Sequence, residues 1–236
     1  RGDRVENIRA LLTGFAPQLS SLNIDQADDF RTLMRQTEGL EADVPVKTII
    51  TRQLARAELS VKPAPHQGMG LSAYTTFTSP LRKYTDFHVH RLIKSALWGT
   101  PAPHLDDAQL ETLQRAQLQA RQAANSLENW LKSDFAKTLG SGEFPGKISR
   151  TTPAGFFVRL DCNGLEGFVS CKTLEGKFSF DPVTLRLTHN KIGQIFQLEQ
   201  PVTVTFAGVD DERKQILFSL AGSSAADRES ESAANA

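Results

Sequence analysis

Two groups of residues in this sequence have types and spacings that could do chemistry. The first is the run Tyr74-Thr75-Thr76-Phe77-Thr78-Ser79-Pro80-Leu81-Arg82-Lys83-Tyr84. Thr78 or Ser79 is a good helix N-cap, and Pro80 suits the first helical position. A helix opening there presents unpaired backbone N–H groups and a positive dipole end. Arg82 and Lys83 would fall in its first turn, where the dipole disfavours cations. Two cations at that end point to a bound anion, most simply a phosphate. The competing reading is a routine cap beside a solvated Arg and Lys. The second group is aromatic. In Gly155-Phe156-Phe157-Val158-Arg159-Leu160, strand alternation puts Phe156, Val158 and Leu160 on one side, and Phe157 and Arg159 on the other. Over 165–171, Leu165, Val169 and Cys171 share the inner side while Phe168 and Ser170 face out. Phe168 can then sit beside Phe157. Two exposed phenylalanines on adjacent strands can each stack a base, for about 1–3 kcal/mol apiece. The competing reading packs Phe157 under the segment 176–200.

The surrounding pattern predicts what must hold these groups. Apolar spacing predicts helices over 4–15, 25–38, 46–57, 79–97 and 106–139, with a Pro- and Gly-containing connector at 62–70. After Gly140-Ser141-Gly142 the period changes to that of short strands, at 146–150, 155–160, 164–171, 201–208 and 215–220. Five strands with an insertion before the fourth suit an OB-type barrel. The class is therefore α+β: a mainly helical part followed by a five-stranded barrel. The final stretch, 223–236, contains only Ser, Ala, Asn and charged residues and is expected to be disordered.

Composition narrows the function classes. The 236 residues carry 27 Lys and Arg against 27 Asp and Glu, so formal net charge is zero. Broad electrostatic attraction to nucleic acid is thereby weakened, and recognition must rest on local groups. No apolar run approaches the length of a membrane span. The charged start, Arg1-Gly2-Asp3-Arg4, is unlike a signal peptide, and the absence of an initiator Met suggests a fragment or processed product. Cys162 and Cys171 fall near neighbouring strands; two free thiols in a reducing cytosol is the expected state. The five histidines show no zinc spacing, and His88 and His90 point different ways on a helix. Asp28 and Asp29 near a helix start are accounted for by the dipole.

A resemblance joins the two groups. Gly-Phe-Phe-Val-Arg-Leu, then Gly-Leu-Glu-Gly-Phe-Val-Ser, then Asp-Glu-Arg-Lys-Gln-Ile-Leu-Phe-Ser-Leu, resembles an S1 RNA-binding domain over nearly all of 143–220. In that family the positions of Phe157 and Phe168 face RNA, and Lys147 and Arg159 are candidate phosphate partners. Many S1 domains carry a His where this chain has Ser170. Likewise Tyr-x-x-Phe-Thr-Ser-Pro-Leu-Arg-Lys-Tyr-x-Asp, with Val89-His90-Arg91-Leu92 behind it, resembles the catalytic domain of the ribonuclease II and ribonuclease R family. The order of this motif, a long helix containing Trp130-Leu131-Lys132-Ser133-Asp134-Phe135, and an S1 domain also matches.

That resemblance implies a processive 3′→5′ exoribonuclease that hydrolyses single-stranded RNA to nucleoside 5′-monophosphates. Arg82 would contact the scissile phosphate, with Tyr74, Thr78, Ser79 and Lys83 supporting the pocket. Residues 1–140 would be the C-terminal part of an RNB-type domain, 141–222 the S1 domain and 223–236 a tail. The family's Mg²⁺ is held by an Asp cluster upstream of the motif, and no matching pattern occurs here, so Mg²⁺ belongs to the complete enzyme. The chain alone is then expected to be inactive, and the N-terminal portion to reside in a longer protein or a second chain. The alternatives are a non-catalytic RNA-binding protein derived from such a nuclease and a general scaffold with no RNA affinity. Thr76, where ribonuclease R chains often have His, and Asp-Glu-Arg-Lys at 211–214 pull in opposite directions between the two enzyme types.

Overall fold

The computed structural model describes residues 2–40 and 42–222. The tail expected over 223–236 lies outside the described residues. The helices are α1 (Gly2–Phe15), α2 (Ala27–Gln36), α3 (Val46–Gln53), α4 (Tyr84–Trp98) and α5 (Asp107–Ala136). The strands are β1 (Glu143–Thr152), β2 (Gly155–Leu160), β3 (Glu166–Ser170), β4 (Phe178–Asp181), β5 (Arg186–His189), β6 (Ile195–Phe196), β7 (Pro201–Asp210) and β8 (Gln215–Leu220). The chain divides into two compact units, one of 21–39 and 54–124, the other of 2–20, 40–53 and the residues from 125 onward.

The second unit contains the barrel, with strand order β1-β2-β3-β8-β7 closing on itself. These five strands are the five expected from the sequence. The insertion between β3 and β7 adds its own three-stranded sheet, β4-β5-β6, which the sequence pattern did not predict. Side chains alternating inward from every barrel strand (Ile148, Phe156, Val158, Val169, Val204, Ile216 and Phe218) form one buried cluster with Leu187 and Phe196 of the insertion. Burial of this kind contributes about 25 cal/mol per Å² of apolar surface. In the same unit α1 buries Ile8, Leu11 and Leu12, and α3 buries Val46, Ile49 and Ile50, the two apolar stripes facing each other. The last turns of α5 meet the β7–β8 hairpin. There Ser133 Oγ donates to the Lys214 carbonyl at 2.8 Å, and Lys137 pairs with Asp211 at 3.0 Å. Cys162 and Cys171 are free thiols, the first exposed and the second half-buried.

In the first unit, Ile24, Phe30 and Leu33 are buried. Arg31 on α2 donates from Nε to the Gly70 carbonyl at 3.0 Å, fixing the end of the Pro- and Gly-containing connector. Helix α4 ends at Trp98 because Gly99 takes a left-handed conformation, φ 65°, that a side chain would oppose. Its burial is inverted. Asp86, His88 and Ser95 are buried, whereas Phe87, Leu92, Ile93, Leu97 and Trp98 are exposed. No helix among the described residues is long and apolar enough to cross a membrane.

One local expectation is corrected. The helix does not open at Ser79-Pro80. Ser79 to Arg82 form a separate turn, with the Ser79 carbonyl accepting from the N–H groups of Arg82 (3.3 Å) and Lys83 (3.0 Å). The helix begins at Tyr84, with extended Lys83 as its N-cap. Arg82 and Lys83 therefore precede the helix rather than occupy its first turn. The anion-at-a-dipole argument for their placement does not apply.

Candidate functional site

What holds the turn is a single buried carboxylate. Asp86 lies in the first turn of α4 and is fully buried. Its Oδ2 accepts the Ser79 backbone N–H at 2.9 Å and lies 3.7 Å from Lys83 Nζ, while Oδ1 accepts the Thr85 hydroxyl at 3.3 Å. Gln117 on α5 donates to Thr85 Oγ1 at 3.2 Å, extending the network to a second helix. A buried carboxylate is tolerated only when its lone pairs are satisfied. The upstream strand of the loop is pinned independently. His90 Nε2 lies 2.9 Å from the Phe77 carbonyl, and the two rings stack at 4.1 Å with planes 10° apart. The His66 ring meets Tyr74 edge-on at 5.0 Å.

This scaffold fixes the backbone of Ser79 and Lys83 and leaves Arg82 exposed beyond the turn. Tyr74, Phe77, Tyr84 and Phe87 are also exposed, so apolar rings accompany the cation within this segment and the first turn of the helix. Thr78 is exposed and Ser79 half-buried. The segment therefore brings together one anchored cation, Lys83, and one exposed guanidinium, Arg82. A guanidinium presents a planar fork of donors that fits phosphate oxygens. His88, by contrast, is buried in α4. Burial, helped by Arg91 and His104, holds its imidazole below the usual histidine range, which favours the neutral form.

The Thr76 side-chain hydrogen bond is the leading cause that holds the Asp86 carboxyl below its ordinary 3.8, with Ser79, Lys83 and Thr85 adding and burial opposing. A depressed folded value means the contribution is present above the unfolded value and is lost as pH falls through the folded one. The Ser79 amide proton, bonded to this carboxylate, is therefore expected to titrate by NMR with a midpoint below 3.8. The transition should vanish in Asp86→Asn. A midpoint above 3.8 in the unsubstituted chain would contradict the arrangement.

On the barrel, the outward row runs across four strands. Arg150 pairs with Phe157, Phe157 with Phe168, and Phe168 with Leu217. Phe157 and Phe168 are half-buried, with ring centroids 4.9 Å apart and planes tilted by 49°. The insertion covers the other face: Phe156, not Phe157, stacks on Phe196 at 4.7 Å. One step along the strands a second row aligns Lys147, Arg159 and Glu166, all exposed. Side chains of directly opposed residues are close neighbours, so the like charges of Lys147 and Arg159 repel and make a local positive patch that a bound phosphate would relieve. Glu166 accepts from Ser149 Oγ at 2.7 Å and lies 4.0 Å from Arg150.

Two participants escaped the sequence reading. Asp86 stood inside the quoted motif, but its role depends on reaching back seven residues to Ser79. Arg150 was hidden by a register shift between Ile148 and Arg150. Strict alternation from Lys147 would point Arg150 inward; the bulge buries Ile148 and Ser149 consecutively and returns Arg150 to the outer face. A doubled inward pair cannot be read from residue types alone. Among the described residues no group of three or more His, Cys, Asp or Glu is placed to hold a metal ion.

Comparison with known proteins agrees with both halves. Residues 2–99 match the RNB domain and residues 142–221 the S1 RNA binding domain. A "Ribonuclease R" of Aquifex aeolicus is 32% identical over 224 residues, covering 92% of this chain and 32% of that protein. An "Exoribonuclease 2" of Haemophilus ducreyi is 32% identical over 224 residues, covering 91% and 32% respectively. The chain thus spans about a third of the length of the curated relatives it matches. In solved structures, the apo form of Mycoplasma genitalium RNase R shares the fold with a TM-score of 0.69 at 21% identity, covering 92% of this chain and 36% of that one. The same protein in complex with ribose methylated single-stranded RNA gives 0.68 at 20% identity, with the same coverage. With an RNB match, an S1 barrel and the RNase R fold together in one sequence, the chain belongs to the ribonuclease II and ribonuclease R family.

Proposed function

We propose that this chain is part of a 3′→5′ exoribonuclease that hydrolyses single-stranded RNA to nucleoside 5′-monophosphates. In this reading residues 1–140 supply part of the RNB-type catalytic domain and 141–222 the RNA-guiding barrel. The observation that carries it is Arg82, exposed on a turn whose backbone is locked by buried Asp86. Arg82 contacts the scissile phosphate, where its fork stabilises charge developing on the non-bridging oxygens. Lys83, Ser79, Thr78 and Tyr74 shape the same pocket. On the barrel, Phe157 and Phe168 stack bases while Lys147 and Arg159 take phosphates. Mg²⁺ enters only with the complete enzyme, through ligands other than the described residues. The exposed apolar side of α4 supports a partner: the remaining part of the same enzyme, in one polypeptide or as a second chain. A cytoplasmic setting accords with the two free thiols.

The test uses the chain as it stands. It is expected to bind a labelled single-stranded oligoribonucleotide and, with Mg²⁺ supplied, to release no nucleoside monophosphates. Replacing Phe157 and Phe168 together by alanine should weaken binding about 10- to 100-fold, less than two fully additive stacking losses because the rings touch. Undiminished affinity in the double variant would remove the barrel from the RNA path. Monophosphate release by the chain alone would show that its own residues suffice for catalysis.

A further inference from the structure

We propose that Arg150 is a third member of the stacking platform, a planar surface on which a nucleobase lies. The inference rests on the RNA-binding reading of the barrel and adds a residue to it. The Arg150 guanidinium carbon stands over the Phe157 ring, 3.8 Å from its centroid, within contact distance of the ring face. Arg150 is the cross-strand partner of Phe157, as Phe157 is of Phe168, so the three form one continuous row. The group is held from two directions. Phe157 lies beneath it, and the Glu166 carboxylate lies 4.0 Å from one terminal nitrogen. Glu166 is itself oriented by the Ser149 hydroxyl at 2.7 Å. The bulge at Ser149 is what brings all three onto one face. The Arg150 side chain nevertheless remains 50% exposed, so the side of the guanidinium away from Phe157 is open to a ligand.

A guanidinium plane is a stacking surface for a base, as a phenylalanine ring is. Stacking there leaves the Arg150–Phe157 contact intact, so the platform lengthens without breaking an existing interaction. Charge placement also distinguishes Arg150 from Lys147. The Arg150 cation has Glu166 beside it, which lowers its value as a phosphate contact and leaves its plane as the useful feature, whereas Lys147 faces the cation Arg159. Lys147 and Arg159 are opposed to each other at the end of the second row nearer β1. Bases on the Arg150–Phe157–Phe168 row with phosphates toward Lys147 and Arg159 is the single-strand arrangement this pattern fits.

The experiment measures dissociation constants of the full chain for a fluorescein-labelled ten-nucleotide oligouridylate, with Arg150→Ala, Arg150→Lys and the Phe157→Ala/Phe168→Ala pair as a reference. Thermal melts of each variant show whether folding is intact before affinities are compared. Loss of one stacking surface should weaken binding about 5- to 30-fold in Arg150→Ala, less than in the double phenylalanine variant. Arg150→Lys, which keeps the charge and discards the plane, should recover little of it. Full recovery by lysine would assign Arg150 to phosphate contact and overturn the stacking role. Unchanged or tighter binding by Arg150→Ala would make the guanidinium merely a cover on Phe157. Absence of RNA binding by the unsubstituted chain would instead overturn the RNA reading of the barrel and this inference with it.

Discussion

Replacing Arg82 by alanine should lower kcat about 10²- to 10³-fold in an active enzyme carrying this chain, the usual loss when one preorganised donor to a developing charge is removed. A suitable vehicle is a chimera in which the chain replaces the matching third of a ribonuclease R relative. The magnitude follows from where Arg82 sits. Its backbone is held at a turn closed by Ser79 and secured by Asp86, so the point from which the guanidinium reaches a phosphate is fixed. Its side chain is exposed, so truncation leaves no cavity and no buried partner unsatisfied. The loss should therefore fall on turnover rather than on stability. An interaction made only in the transition state lowers kcat and kcat/KM together, whereas uniform binding raises KM alone. Single-turnover hydrolysis of an oligoribonucleotide separates the two. A raised KM with unchanged kcat would reduce Arg82 to a ground-state contact. Arg82→Lys should recover only part of the loss, because an ammonium is a point charge without the planar fork.

The second large effect concerns stability. Gly155 opens β2 at φ 151°, and a Cβ built there would lie 2.1 Å from the Val169 carbonyl oxygen and 2.8 Å from the Phe168 ring. Backbone cannot yield as a flexible side-chain tip can. Overpacking costs about 1–3 kcal/mol, and forcing an L-residue into a glycine conformation adds about 1–2 kcal/mol. Gly155→Ala should thus cost about 2–5 kcal/mol in total. For a domain of this size each kcal/mol moves Tm by about 4–8 °C, so the barrel should melt roughly 8–40 °C earlier. The clash also falls on Phe168, so any variant that stays folded should bind RNA more weakly. A shift of Tm below about 2 °C in a calorimetric scan would show that the β2–β3 pair relaxes at little cost.

Residue order alone was enough to establish the barrel and its two faces. A period of two, which β2 and β3 retain in the closed sheet, places Phe157 and Phe168 outward and Phe156, Val158 and Val169 inward. Such alternation is legible in β2 and β3 because both run without a register shift and bury one side. The helices were legible for a similar reason: Ile8, Leu11 and Leu12 on α1 recur at the spacing of one buried face. Local capping chemistry was less reliable. Ser79 and Pro80 are good helix-starting residues, yet the Ser79 N–H is taken by Asp86 from the next element, and the helix waits until Tyr84. A cap is a competition among nearby acceptors, and the winner depends on how the chain turns between them. The same limit hid Arg150. Its side is set by a bulge, and a bulge arises where the strand must bend to keep pairing with both neighbours. Residue types and spacing thus determined which side chains could stack or hold phosphate. The fold decided which backbone amide a buried carboxylate would claim, and which arginine would lie on the phenylalanine, because both depend on residues brought together only when strands and turns close.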